Sequence, residues 1–93
     1  NIISTLAGNF IGYLVPGIIH SDKFNDTTLK FRVTTPVNNV DLVVKLDDTI
    51  IKTYKKPYLI PSLMEKIELK NIIVDKELLN KSTTLKVEVI KND

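Results

Sequence analysis

The chain has 93 residues, a formal net charge of +2 and no cysteine. This length accommodates one domain and is too short for a cofactor-binding domain together with a substrate domain. The lack of cysteine excludes disulfides, thiolate nucleophiles and cysteine-ligated zinc or iron–sulfur clusters, and the small net charge provides no basic stripe of the kind that binds nucleic acid.

The amino-terminal third begins with a short apolar lead-in at residues 1–6, followed by turn-forming residues at 7–9. Residues 10–15 are predicted to form the first strand. Pro16 and Gly17 interrupt it, and the strand resumes at residues 18–19 after a kink. Because proline lacks an N–H for a strand ladder, we expect this strand at the edge of a sheet.

Four later segments carry most of the strand signal, and in three of them apolar and charged residues alternate: 28–34, 40–46 and 83–90. A period of two puts the apolar side chains of a strand on one face, as in an antiparallel sheet with one wet face. Together with residues 64–69 these strands predict a core, whose members are Leu29, Phe31, Val33, Leu42, Val44, Ile67, Leu85, Val87 and Val89.

The remaining segments are predicted from turn and capping signals. Asp47-Asp48 separates two strand-like runs and indicates a tight hairpin, with the next strand at residues 49–55. The lysines of that strand are typical of an edge that is protected from pairing with other chains. Residues 72–74 are expected to extend the sheet, and Asp75 to cap one helical turn at residues 76–79.

Six or seven short strands with regular turn signals predict an all-β fold, an immunoglobulin-like antiparallel β-sandwich formed by residues 1–93 as a single domain. The alternative is a small open β-barrel. The cysteine and tryptophan hallmarks of true immunoglobulin domains are missing, so the likeness concerns architecture alone.

No catalytic, cofactor-binding or metal-binding residue is predicted. His20 is the only imidazole, and its sequence neighbours Ser21 and Asp22 cannot act in series with it as a nucleophile–base–carboxylate triad. Asp47 and Asp48 are better explained by turn chemistry than by calcium ligation, because a calcium loop needs several converging oxygens.

One segment is a candidate interface. Residues 57–61 begin and end with proline and carry Tyr58, Leu59 and Ile60. An extended chain points consecutive side chains to alternate sides, so at least one of Tyr58 and Leu59 is expected to be exposed. The segment would either close the sandwich or dock on another domain or protomer.

Three segments also resemble a known family. Residues 7–16 (AGNFIGYLVP), 29–37 (LKFRVTTPV) and 61–69 (PSLMEKIEL) are similar to the C-terminal β domain of bacterial FAD-dependent pyridine-nucleotide oxidoreductases. That domain tends to carry a Tyr-Val-Val-Pro strand, a Phe-Arg-Val-x-x-Pro strand and a Pro-Gly-Glu-Met turn. The third motif departs from the family here, since Ser62 and Leu63 stand where it has Gly and Glu.

The resemblance implies a non-catalytic C-terminal accessory domain of a cytoplasmic flavoprotein, packed against the catalytic domains or a partner subunit. FAD and NAD would then bind upstream of Asn1, outside this chain, and the first residue, which is not Met, agrees with a longer parent. The alternative is a cell-surface or secreted β-sandwich module, used as a spacer or for adhesion. Neither nucleic acid nor a membrane span is expected.

Overall fold

The computed structural model describes residues 1–92, and eight strands account for most of them. The strands are β1 (Ile2–Ala7), β2 (Ile11–Val15), β3 (Ile18–His20), β4 (Thr28–Val33), β5 (Val37–Leu46), β6 (Thr49–Leu59), β7 (Glu65–Glu68) and β8 (Thr84–Lys91). One α-helix, α1 (Lys76–Lys81), and two 3₁₀ helices, Ser21–Asp26 and Leu69–Asn71, lie between strands.

The strands form two sheets, of five strands in the order β3-β1-β8-β5-β6 and of three in the order β2-β4-β7. The predicted all-β sandwich is therefore confirmed. The strands form two separate open sheets and not a closed barrel, and residues 1–92 contain eight strands rather than six or seven. All strand pairs are antiparallel except β1 with β8, which is parallel.

The core lies between the sheets and follows the period-two pattern. In β4 the buried residues alternate with exposed or half-buried ones, and every core residue predicted from the sequence is buried. The sequence reading omitted several fully buried contributors, among which are Ile3, Ile19, Val40, Leu46 and Leu69.

The two predicted edges are confirmed, but the first strand does not resume at residues 18–19 as predicted, because β3 lies in the larger sheet beside β1. β2, which ends just before Pro16, pairs only with β4, and β6, which carries the lysines, pairs only with β5. However, β6 continues through Pro57 to Leu59, where the sequence predicted a separate extended link. The edge position explains the longer strand, because one side of β6 needs no N–H donors for pairing.

The lead-in at residues 1–6 is a strand, which corrects the sequence prediction. β1 lies between β3 and β8 in the larger sheet, with Ile3 fully buried. Ser4 to Ala7 run parallel to residues 84–87 of β8, at the far end of the sequence. The first and last strands of the chain are thus neighbours.

The prediction for residues 72–74 is wrong. They do not extend the sheet: Ile72 is buried but Ile73 is 98% exposed. Elsewhere, β5 begins at Val37 and contains Asn39 with a φ of 52°, and the segment after His20 forms a 3₁₀ helix, whose Phe24 side chain is buried in the core.

The cap of α1 is confirmed. The Asp75 side chain accepts a hydrogen bond from the Glu77 N–H at 3.2 Å, and Leu78 and Leu79 pack against the core. A carboxylate at this position satisfies one of the free N–H groups of the first turn.

The crossover from β1 to β2 starts by continuing alongside β8. Gly8 donates its N–H to the Val87 carbonyl at 2.8 Å, and the Asn9 carbonyl accepts from the Val89 N–H at 3.0 Å. Next to this crossover Glu88 is only 7% exposed. Its Oε2 lies 3.5 Å from Lys45 Nζ and 3.4 Å from Lys86 Nζ, contacts that are ion pairs without hydrogen-bond geometry.

The predicted hairpin at Asp47-Asp48 is confirmed, and it joins β5 to β6. Asp47 has a φ of 51°. Its Oδ1 accepts bonds from the N–H groups of Thr83 and Thr84, each at 3.1 Å, and from Thr83 Oγ1 at 3.3 Å. This one carboxylate therefore ties the hairpin to the start of β8.

We expect Asp47→Ala to lower the free energy of unfolding by about 1–2 kcal/mol, because it removes charge-assisted bonds to backbone N–H groups and places alanine in the left-handed region. Asp48→Ala, at the next turn position, is the matched control and should change it by less than about 0.5 kcal/mol. Urea unfolding of both variants measures the difference. Equal losses would show that the bonds from Thr83 and Thr84 contribute nothing.

Candidate functional site

The segment predicted as an interface is divided by the fold. Tyr58 is 56% exposed, Leu59 is 2% exposed and belongs to the core, and Ile60 is half-buried. Tyr58 is therefore the exposed member of the pair, and Leu59 helps to close the sandwich. Leu63 and Met64, further along the same connection, are exposed too.

The sandwich opens into a cleft between the edge strands β6 and β7, with a volume of about 670 Å³. Its lining comes from β5 and β6 of the larger sheet and from β4 and β7 of the smaller one. Phe31, Leu42 and Ile67 line the cleft beside the charged side chains of its rim. A volume of this order is in the range of small-molecule sites.

The polar groups of the cleft are arranged around Tyr54. Lys52 Nζ and Lys56 Nζ lie 5.5 and 5.9 Å from the centre of its ring, and burial raises the pKa of the Tyr54 hydroxyl. Lys56 Nζ also lies 3.9 Å from Glu65 Oε1, an ion pair that connects the two sheets. The raised pKa keeps the Tyr54 phenol neutral at neutral pH, and of the two lysines only Lys56 is among the residues that line the cleft.

The outer face of the three-stranded sheet carries three cations. Lys30 and Arg32 alternate with the buried residues of β4, and Lys66 of β7 is the direct cross-strand partner of Lys30. On the other side of β4, Val15 pairs with Lys30 and Tyr13 with Arg32. We call Lys30, Arg32 and Lys66, together with Tyr13, the cationic face. Tyr13 is 48% exposed.

The three motifs that carry the family resemblance lie close together, in the smaller sheet and in the connection that precedes β7. Residues 13–16, 31–36 and 61–64 lie on, or directly adjoin, the neighbouring strands β2, β4 and β7. Arg32 Nη1 donates to the Pro61 carbonyl at 3.0 Å, which connects the second motif to the third. The sequence reading treated these motifs separately, because only the strand register shows that they adjoin.

A third surface was missed entirely. Ile2, Leu6 and Ile18 are exposed apolar residues on the outer face of β1 and β3. Ile18 is paired with Ser4, which lies between Ile2 and Leu6 on β1, so the three side chains are diagonal neighbours. The sequence analysis treated residues 1–6 as a lead-in and not as a strand. It therefore did not predict that Ile2 and Leu6 lie on the same face.

His20 and Ser21, which were considered for catalysis, do not form a catalytic arrangement with each other. His20 is exposed at the end of β3, and Ser21 Oγ accepts a bond from the N-terminal amine at 3.0 Å. Within residues 1–92, no group of three or more His, Cys, Asp or Glu side chains is placed to hold a metal ion. No helix in the same range is long and apolar enough to cross a membrane.

The helix N-terminus does not fit a dinucleotide. A pyrophosphate would need free N–H groups at the start of a helix, whereas α1 has only six residues and the Asp75 carboxylate occupies its cap. Glu77 adds a second negative charge in the first turn. An FAD or NAD phosphate would therefore meet two carboxylates at this position.

In comparisons with known proteins, no family model, no curated protein and no solved structure matches the chain.

Proposed function

We propose that the chain is a non-catalytic accessory domain of a bacterial FAD- and NAD-dependent oxidoreductase of the cytoplasm. It packs against the catalytic domains of that protein or against a partner subunit. The observation that supports this proposal best is the proximity of the three family-like motifs, which lie on β2, on β4 and in the connection before β7. Segments that are far apart in sequence but resemble one family are thus neighbours in the smaller sheet, with Phe31 and Val33 in the core and Tyr13 exposed.

Two further features support an accessory role. The capped terminus of α1 disfavours a dinucleotide phosphate, so the flavin and the nicotinamide belong to other domains of the proposed parent. Tyr58, Leu63 and Met64 are exposed along one connection, and exposed apolar side chains of this kind are common where domains meet. In the proposed parent, a catalytic domain or a second subunit would pack against these three side chains.

The test is expression of the complete polypeptide in which these residues occur, beside the 93-residue chain alone. We expect the complete protein to show flavin absorption and to oxidise a reduced nicotinamide. The 93-residue chain should be colourless and should bind neither FAD nor NAD in calorimetry. A complete protein without flavin, or a 93-residue chain that binds it, would contradict the proposal.

A spacer module of a cell-surface or secreted protein is the second candidate, and the parallel pairing of β1 with β8 favours it. This pairing places Asn1 near the start of β8, where its Nδ2 donates to the Ser82 carbonyl, and Asn92 near the start of β5. The two ends are separated by the length of β8, roughly 26 Å for eight residues. Modules joined head to tail need such an arrangement. A signal peptide and tandem β-sandwich domains encoded upstream of Asn1 would support the spacer module over the flavoprotein domain.

A further inference from the structure

The cationic face is not neutralised by the chain itself. Among residues 1–92, no carboxylate lies within 4.0 Å of the charged nitrogens of Lys30, Arg32 or Lys66. Glu68, the acidic residue of β7 on the same face, is paired with Lys70 at 4.0 Å. The other ion pairs of the described chain involve Asp41, Glu65 and Glu88.

The register makes this arrangement unfavourable in isolation. Lys30 and Lys66 are directly opposite each other on neighbouring antiparallel strands, and both are exposed. Like charges in this position repel each other and destabilise the strand pair. Arg32, two residues along β4, adds a third positive charge. An external anion would remove the repulsion.

From this geometry we infer that the cationic face docks on an acidic protein surface, which in the proposed parent belongs to the catalytic portion. The inference rests on the proposed function and names the docking face and the chemistry of its partner. Carboxylates of the partner pair with Lys30, Lys66 and the remaining donors of Arg32. The exposed ring of Tyr13 provides the apolar contact beside them.

A protein partner fits this face better than a nucleic acid does. Duplex binders typically neutralise on the order of 6–10 phosphates, and this face offers three cations. The guanidinium of Arg32 is also held at one nitrogen by the Pro61 carbonyl. A planar, oriented guanidinium is suited to paired carboxylate oxygens, and a half-exposed tyrosine is typical of protein interfaces.

The first part of the test is the stability of the 93-residue chain. Lys66→Glu replaces a like-charge pair by an opposite-charge pair with Lys30, so we expect the urea midpoint to rise. Lys76→Glu, on α1, changes the net charge equally, but it places a carboxylate in the first turn of a helix, where negative charge is itself stabilising. The decisive control for the midpoint is therefore Lys30→Glu/Lys66→Glu, which restores a like-charge pair and should return the midpoint toward that of the unsubstituted chain. A midpoint that falls or stays constant in Lys66→Glu would overturn the premise that the face is repulsive in isolation.

The second part is docking in the complete polypeptide, measured by hydrogen exchange of the amides in β2, β4 and β7. We expect slower exchange there than in the 93-residue chain, and Lys66→Glu should weaken this protection about tenfold, as for the loss of one good ionic contact. Lys76→Glu should preserve it. Equal exchange in both forms, or protection that appears only on adding duplex DNA, would overturn the inference.

The two proposals fail in distinguishable ways. Protection of the cationic face in a complete polypeptide that lacks flavin would contradict the flavoprotein assignment and support the docking face. The opposite result is a complete polypeptide that contains flavin but whose amides in β2, β4 and β7 exchange as fast as in the 93-residue chain. It would support the flavoprotein assignment and contradict the docking face. Each result is read from a separate signal, the absorption spectrum or the exchange rates.

Discussion

Phe31→Ala should lower the free energy of unfolding by about 3–5 kcal/mol, the usual cost of emptying a core aromatic site. Phe31 is fully buried at the centre of the three-stranded sheet, between β2 and β7. The loss is comparable to much of the total stability of a domain of this size, roughly 5–10 kcal/mol. The variant would therefore be partly unfolded at moderate temperature, and urea or thermal melts would measure the effect.

Lys30→Ala is the matched control for this prediction. It changes the preceding residue of the same strand, on the opposite face, and should alter stability by less than about 0.5 kcal/mol. Two substitutions that proved equally harmful would contradict the assignment of Phe31 to the core side of β4.

Gly8→Ala should lower the free energy of unfolding by about 1–3 kcal/mol, the usual cost of overpacking. A methyl group added at Gly8 would lie 2.7 Å from Glu88 Cβ and 2.8 Å from Lys86 Cε. The lysine stem can move, but Glu88 Cβ is fixed by the backbone of β8. The crossover would have to lift from the sheet, which weakens the bond from Gly8 N–H to Val87.

Gly17→Ala provides the control, because a Cβ at this position meets nothing within 4 Å. It restricts the unfolded chain without a clash, so stability should stay the same or rise by up to about 1 kcal/mol. Thermal melts of the two variants compare the same chemical change in crowded and open surroundings. A loss in Gly17→Ala as large as that in Gly8→Ala would refute the explanation by close approach.

The inward faces of β4, β5 and β8 could be predicted from the alternation of apolar and charged residues, although Val43 and Glu88 on the outer faces are buried as well. Charged residues at every second position of Leu29–Val33 or Leu85–Val89 identify the dry side without knowledge of the partner strands. The same logic identified β6 as an edge, since its lysines would be costly on a strand paired on both sides.

β1 could not be predicted in this way. Ile2 and Leu6 are apolar on the outer face, so only Ile3 distinguishes the buried side, and the alternation is lost. The partner that makes β1 a strand is β8, which lies about eighty positions away in the chain. A parallel pairing between the chain ends leaves no turn signal in the sequence.

In the candidate sites, too, single-strand features could be predicted from the sequence, whereas features that depend on strand pairing could not. Exposure of one residue among Tyr58 and Leu59 followed from strand geometry alone, and Tyr58 is the exposed one. The juxtaposition of Lys30 with Lys66 could not be foreseen, because it depends on the register between β4 and β7. Shifting that register by one residue would place Lys30 opposite a different side chain.

The position of β8 also determines when the larger sheet can form. During synthesis β3 and β1 emerge first and β5 and β6 later, but nothing joins these two pairs until Thr84–Lys91 has left the ribosome. Until then each pair is a two-stranded ribbon, which is marginally stable in water. The five-stranded sheet therefore cannot form before β8, its central strand, has been synthesised. In a nascent chain truncated before Thr84, we expect β1, β3, β5 and β6 to remain sensitive to proteases.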